Sequence, residues 1–244
     1  MSASRTEGNG WDALTGGRLL AQAVSMSPSI TLDGPRMAPA SGGKAQSVVI
    51  LAHGYGSNGE DLIGLAPYWR EALPNTAFVA PNAPEPCPGA PGGYQWWPIS
   101  GSERGGGVAG AAAILDAFVD AELARHGLSE DRLALVGFSQ GTMLALYVAP
   151  RRERRLAGVV GYSGRLIEAD PQAVRTRPPI LLVHGDADPM IPVGALANAE
   201  AWLKPLGFEV STHVSRGLGH SIDMDGLRLG GAFLSRVLAP ATSS

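Results

Sequence analysis

The 244 residues contain a single cysteine, Cys87, so neither an intramolecular disulfide nor a cysteine-based zinc site can form. Cys87 stands between Pro86 and Pro88 with no basic neighbour in sequence to activate it, and it reads as an inert loop thiol. Charge is also scarce. Asp, Glu, Lys and Arg make up 17% of the chain while 45% is apolar, against a usual charged share of ~25%, and this balance excludes a disordered or supercharged chain. Lys and Arg total 19 against 22 for Asp and Glu, a formal charge of −3. The broad basic excess that a phosphate backbone demands is missing, which excludes nucleic acid as a partner. No apolar run approaches the ~18 residues of a membrane span. The N-terminus lacks the basic start, continuous apolar centre and cleavage site of a secretion signal. These absences predict a cytoplasmic protein without stable membrane insertion.

Glycine and proline are plentiful instead, 33 and 19 residues, and they divide the chain into short segments. Residues 1–28 hold Gly, Ser and Ala with scattered charges and no sustained period, and read as an N-terminal extension. Residues 29–244 read as one domain, long enough to bury roughly 70–75% of its unfolded surface without metals or disulfides. A short strand-like piece starts at Ile30, turn signals follow at Asp33-Gly34-Pro35 and Ser41-Gly42-Gly43, and the apolar run Val48 to Ala52 predicts a buried strand. The alternation continues with a helix after Ser57-Asn58 and a strand Ala77 to Ala80. A helix carrying Val108, Ala112, Leu115 and Val119 precedes a strand Leu133 to Val136. Beyond a further helix come strands Ala157 to Gly161 and Pro179 to Val183, a helix Gly194 to Leu206, a strand Phe208 to Val214 and a closing helix Ser221 to Leu238. This order predicts an α/β fold, a doubly wound and mostly parallel sheet with helices on both faces. The segment Pro81 to Pro98 holds six prolines and ends near Trp96-Trp97, and such a long aromatic loop reads as functional. The basic run Arg151 to Arg155 reads as a solvated turn between helix and strand.

The strongest chemical signal is Gly137-Phe138-Ser139-Gln140-Gly141, directly after an apolar strand and before an apolar helix. This is G-x-S-x-G in the setting its chemistry requires, a tight strand-to-helix turn that lifts a serine hydroxyl above the sheet edge. A serine needs a neutral imidazole to take its proton, and the imidazole needs a carboxylate to fix its tautomer. His184-Gly185-Asp186-Ala187-Asp188-Pro189 follows a strand and brings two carboxylates to the same sheet edge. Asp188 is the expected orienting acid, Asp186 a turn-stabilising residue. His220 in Gly217-Leu218-Gly219-His220, 81 residues after Ser139 and 32 after Asp188, is the expected base. His126 reads as a helix C-terminal charge, and His213 and His184 as structural strand residues. The backbone N–H of Gln140 and that of Tyr55, in Leu51-Ala52-His53-Gly54-Tyr55-Gly56, are candidate donors to an oxyanion. His53 reads as a hydrogen-bonding residue that shapes the turn.

Together, the His-Gly-Tyr-Gly loop, the Gly-Phe-Ser-Gln-Gly elbow, His-Gly-Asp-x-Asp-Pro and Gly-x-Gly-His resemble the bacterial phospholipase/carboxylesterase family of α/β-hydrolases, which includes the acyl-protein thioesterases. The resemblance runs from about Ile30 to Ala239. It implies a single-domain serine hydrolase of carboxylic esters, without metal or cofactor, monomeric or homodimeric, with Ser139, Asp188 and His220 as triad and Tyr55 and Gln140 as oxyanion donors. It also carries an acyl-channel aromatic over to Trp97 and an apolar pocket residue to Met190. Thr142 stands where thioesterase members usually carry a second glycine. The expected substrate is a small short- to medium-chain ester. Long-chain lysophospholipid or acyl-protein thioester hydrolysis is the alternative within this chemistry, and a non-catalytic binding module the alternative outside it.

Overall fold

The computed structural model describes residues 32–99, 107–167 and 169–240. The expectations for residues 1–28 and for the piece starting at Ile30 lie outside them. The first strand among the described residues is β1 (Arg36–Met37), followed by β2 (Ser47–Ala52), α1 (Gly59–Ile63) and β3 (Thr76–Val79). The proline-rich segment contains a hairpin of β4 (Glu85–Pro86) and β5 (Tyr94–Gln95). Then come α2 (Gly107–His126), β6 (Leu133–Phe138), α3 (Gln140–Val148), β7 (Gly158–Tyr162), β8 (Ile180–Gly185), α4 (Gly194–Leu203), β9 (Val210–Ser215) and α5 (Met224–Val237).

One sheet takes the order β1-β3-β2-β6-β7-β8-β9. Every pairing in it is parallel except that of β1 with β3. Because side chains alternate along a strand, each strand feeds two cores. Val48, Ile50, Leu133, Leu135, Val159 and Leu182 face a layer that includes Leu115 and Val119 of α2, Leu144 of α3 and Leu196 and Leu203 of α4. Val49, Leu51, Val136, Val160 and Val183 face Leu62 of α1, Trp69, and Leu227, Phe233 and Leu234 of α5. The expected α/β architecture with helices on both faces is therefore the observed one. Among the described residues no helix is long and apolar enough to cross a membrane.

Several boundaries move for local chemical reasons. The closing helix starts at Met224 rather than Ser221 because Asp223 caps it, its Oδ1 accepting from the Gly226 N–H at 2.7 Å. α4 ends at Leu203, where Pro205 tightens Lys204–Leu206 into a 3-10 turn. The basic run is not a solvated turn throughout: the Arg152 side chain is 8% exposed and its guanidinium binds Asp116 and Asp120 of α2. The two aspartates are spaced i,i+4 and thus share one helix face, ready to receive a cation from a distant segment. His126 is less a helix-end charge than expected, since burial lowers its pKa despite the neighbouring Glu122 carboxylate.

Candidate active site

Tyr55, Ser139, Asp188 and His220 follow β2, β6, β8 and β9 and so stand at the C-terminal edge of the parallel strands, where loops carry side chains beyond the sheet. Ser139 sits between β6 and α3 with φ of 51°, a conformation that a residue with a Cβ adopts at a cost. Two things hold it there: its N–H donates to the Tyr162 carbonyl at 2.9 Å, and its own carbonyl accepts from Met143 N–H at 3.1 Å. The turn is tight enough that a Cβ on Gly141 would lie 1.8 Å from the Ala52 carbonyl oxygen. Only glycine lets the N-terminus of α3 rest on the end of β2.

Thr142 explains its own departure from the second glycine. Its Oγ1 lies 2.8 Å from the carbonyl oxygens of both Gly137 and Tyr162, and its methyl fills space beside Gly161 and Gly164. The hydroxyl ties the two strands flanking the elbow, work a second glycine could not do.

Asp188 and His220 meet directly. His220 Nδ1 lies 2.7 Å from Asp188 Oδ2, with the carboxylate fully buried and the imidazole 21% exposed. Oδ1 of Asp188 accepts from the N–H groups of Met190 at 2.8 Å and Ile191 at 2.9 Å. Burial alone would raise the Asp188 pKa, but the hydrogen bonds from His220, Ile191 and Met190 outweigh it and hold the carboxyl below its ordinary value. Asp186 lies apart, its Oδ1 accepting from Gly217 N–H at 2.6 Å, which fastens the loop that carries His220. His184 does more than close a strand. Its Nε2 lies 2.8 Å from the Ile191 carbonyl oxygen and 3.3 Å from Asp188 Oδ2.

Ser139, Gln140, Tyr55 and His220 line one cavity of about 970 Å³. Its remaining wall is largely apolar, including Trp97, Met143, Leu166, Ile167, Met190 and Trp202. The loop after β2 passes close to the serine, since a Cβ on Gly54 would lie 3.3 Å from the Ser139 Cβ. Buried His53 fixes that loop: its Nδ1 is 2.7 Å from the Gly54 carbonyl oxygen, and its Nε2 accepts from Ala83 N–H at 3.0 Å. Burial lowers the His53 pKa, in keeping with a ring that must stay neutral to accept at Nε2. The Tyr55 phenol meets Cys87, and that hydrogen bond raises its pKa.

Sequence reasoning missed the side chain of Gln140. Its Oε1 accepts from Trp96 N–H at 2.9 Å and its Nε2 donates to the Trp97 carbonyl at 2.8 Å. Trp96 itself is buried and its indole N–H donates to the His53 carbonyl at 2.9 Å. The residue after Ser139 thus grips the proline-rich loop and holds Trp97 at the cavity. Nothing in a local motif announces this, because the partners lie 43 and 44 positions apart.

Comparison with known proteins identifies the family. A family model described as Phospholipase/Carboxylesterase matches residues 37–238. Esterase YpfH of Escherichia coli is 29% identical over 184 residues, 73% of this chain and 78% of that protein. An acyl-protein thioesterase 1 of Schizosaccharomyces pombe is 32% identical over 193 residues, 73% of this chain and 85% of that protein. The crystal structure of esterase PE8 superposes with a TM-score of 0.80 at 41% identity, covering 86% of this chain and 100% of that one.

Proposed function

The chain belongs to the phospholipase/carboxylesterase family and is a carboxylic ester hydrolase, and we propose that it works through Ser139, His220 and Asp188 on short- to medium-chain esters. The observation that carries this reading is the His220 to Asp188 hydrogen bond of 2.7 Å beside a cavity that Ser139 also lines. His220 Nε2 takes the Ser139 proton as Oγ bonds to the ester carbonyl carbon. The charge that the imidazole gains is balanced by Asp188, which stays ionised. The carbonyl oxygen becomes an oxyanion that the N–H groups of Tyr55 and Gln140 stabilise, donors of this kind being worth about 3–4 kcal/mol each. The carbon–oxygen bond to the alcohol then breaks, and His220 returns its proton to the departing oxygen. Water repeats the sequence on the acyl-enzyme, releasing the carboxylic acid and restoring the serine.

The apolar wall favours a hydrocarbon acyl group, and its size lies at the upper end of the ~300–1,000 Å³ typical of small-molecule sites. That roominess, with the 32% identity to an acyl-protein thioesterase, supports a second reading, hydrolysis of long-chain thioesters or lysophospholipids. Initial rates on p-nitrophenyl esters from acetate to palmitate, beside Ser139→Ala, separate the two. A Ser139-dependent maximum at short chains supports the carboxylesterase, and a maximum at palmitate the long-chain reading. Failure of a fluorophosphonate probe to label Ser139 would overturn both and leave a binding module.

A further inference from the structure

Among the described residues that line the cavity, one charged side chain has no part in the proposed ester cleavage. Arg165 lines it together with Ser139 and His220, and its described lining includes no aspartate or glutamate. Arg36, Arg152, Arg175 and Arg236 each meet a carboxylate. Arg165 is exposed and has no hydrogen bond or ion pair among the described residues.

Its position is built by the fold. β7 ends in a turn where buried Ser163 takes a φ of 47°, held by its N–H donating to the Val183 carbonyl at 2.9 Å. The next residue, Gly164, packs so tightly that a Cβ there would lie 3.1 Å from the Ser139 carbonyl oxygen. Arg165 therefore leaves the backbone one residue from a contact with the elbow. Apolar Leu166 and Ile167 continue the wall on its far side, and Asn198 and Trp202 of α4 and the residues next to it line the same cavity. A guanidinium with no carboxylate bonded to it among the described residues, beside a low-dielectric wall, projects a positive field into the cavity. A guanidinium presents a planar fork of donors that matches a carboxylate or phosphate.

We propose that Arg165 forms an anion subsite, so that the preferred substrate is an ester bearing a second, negatively charged oxyanion group separated from the reacting carbonyl by an apolar segment. The inference rests on the hydrolase reading above and narrows its substrate class. A neutral ester would fill the apolar wall and leave the guanidinium to water. A half-ester of a dicarboxylic acid, or an ester of a phosphorylated alcohol, would fill both.

Matched pairs test it. One arm compares p-nitrophenyl half-esters of dicarboxylic acids, succinate to suberate, with their methyl-capped neutral counterparts. The other compares a butyryl ester of glycerol phosphate with that of glycerol. The expected result is a preference of about tenfold or more in kcat/KM for the anionic member of at least one pair, weakened by added salt. The arm that shows it tells whether the anion enters on the acyl or the alcohol side. Arg165→Gln should bring that preference to within about twofold, and Arg165→Glu should reverse it toward a choline ester. Equal rates on charged and neutral members in both arms, or a preference that survives Arg165→Gln, overturns the subsite while leaving the hydrolase intact. If no ester is cleaved at all the hydrolase reading fails. Calorimetric binding of the half-ester and its neutral partner to Ser139→Ala then decides the subsite by itself.

Discussion

Two buried carboxylates in this molecule each sit beside a cation-forming partner, yet they do different things. Glu122 of α2 is 2% exposed and holds Arg36 of β1 through a pair of bonds at 2.5 and 2.8 Å, with Arg125 at 3.4 Å. Asp188 holds His220 at 2.7 Å, accepts from the backbone N–H groups of Met190 and Ile191, and has His184 Nε2 at 3.3 Å. An arginine keeps its proton at every accessible pH, so the first pair can only brace the edge strand against a helix. An imidazole can both accept and donate a proton, and the second pair leaves its ring facing a cavity. In the proposed mechanism the partner's ability to pass on a proton, together with the cavity its ring faces, sets the Asp188 pair apart from the brace at Glu122.

The sharpest way to break that contrast is to remove the groups proposed to exchange the proton. Ser139→Ala or His220→Ala should lower kcat by about 10³–10⁶ while thermal melting changes little; steady-state rates beside a melting curve check this. Asp188→Asn keeps the shape of the acid but favours the wrong imidazole tautomer, and should lower kcat by about 10⁴. If Asp188→Asn were instead mild, the carboxylate would be another brace. Gln140→Glu places a negative charge against the Trp97 carbonyl, and should cost about tenfold in kcat/KM and flatten the dependence on acyl-chain length, read from the p-nitrophenyl series. In the other region, Glu122→Gln should leave kcat/KM unchanged and lower stability by about 1–3 kcal/mol, less than for a fully buried pair because Arg36 reaches solvent. Urea unfolding measures it.

The smallest expected effect concerns pH. His53 has its pKa lowered in the folded state, so the unfolded chain binds more protons there and stability is complete above the ordinary histidine value of about 6.5. It falls as pH drops below that value toward the folded pKa. His126 shifts in the same direction. Melting temperature should therefore decline from pH 7 to 5, with a shallower slope in His126→Gln, whose ring leaves no backbone group orphaned.

Much of this could be read from the sequence because the relevant signals are local. Six-residue runs such as β6 and β8 are buried almost throughout, and the motifs bearing Ser139 and Asp188 each follow such a strand, whereas His220 follows β9, a largely exposed edge strand. A parallel sheet sends all those loops to one edge. The parts that escaped depend on distant partners. β1 and the β4–β5 hairpin have strands of two residues, too short for any period to register. Arg152 reads as solvated until α2 brings Asp116 and Asp120 to it from more than thirty positions away. Arg165 carries no motif at all, and its place in the cavity follows only from the turn after β7.

The grip of Gln140 on the neighbouring loop has a consequence for how such a site can diversify. Both of its bonds reach main-chain atoms, the N–H of Trp96 and the C=O of Trp97. Any residue at position 97 offers that carbonyl equally well. The cavity wall at this point can therefore be rewritten side chain by side chain, by selection or by design, while the frame that positions it stays fastened to the elbow.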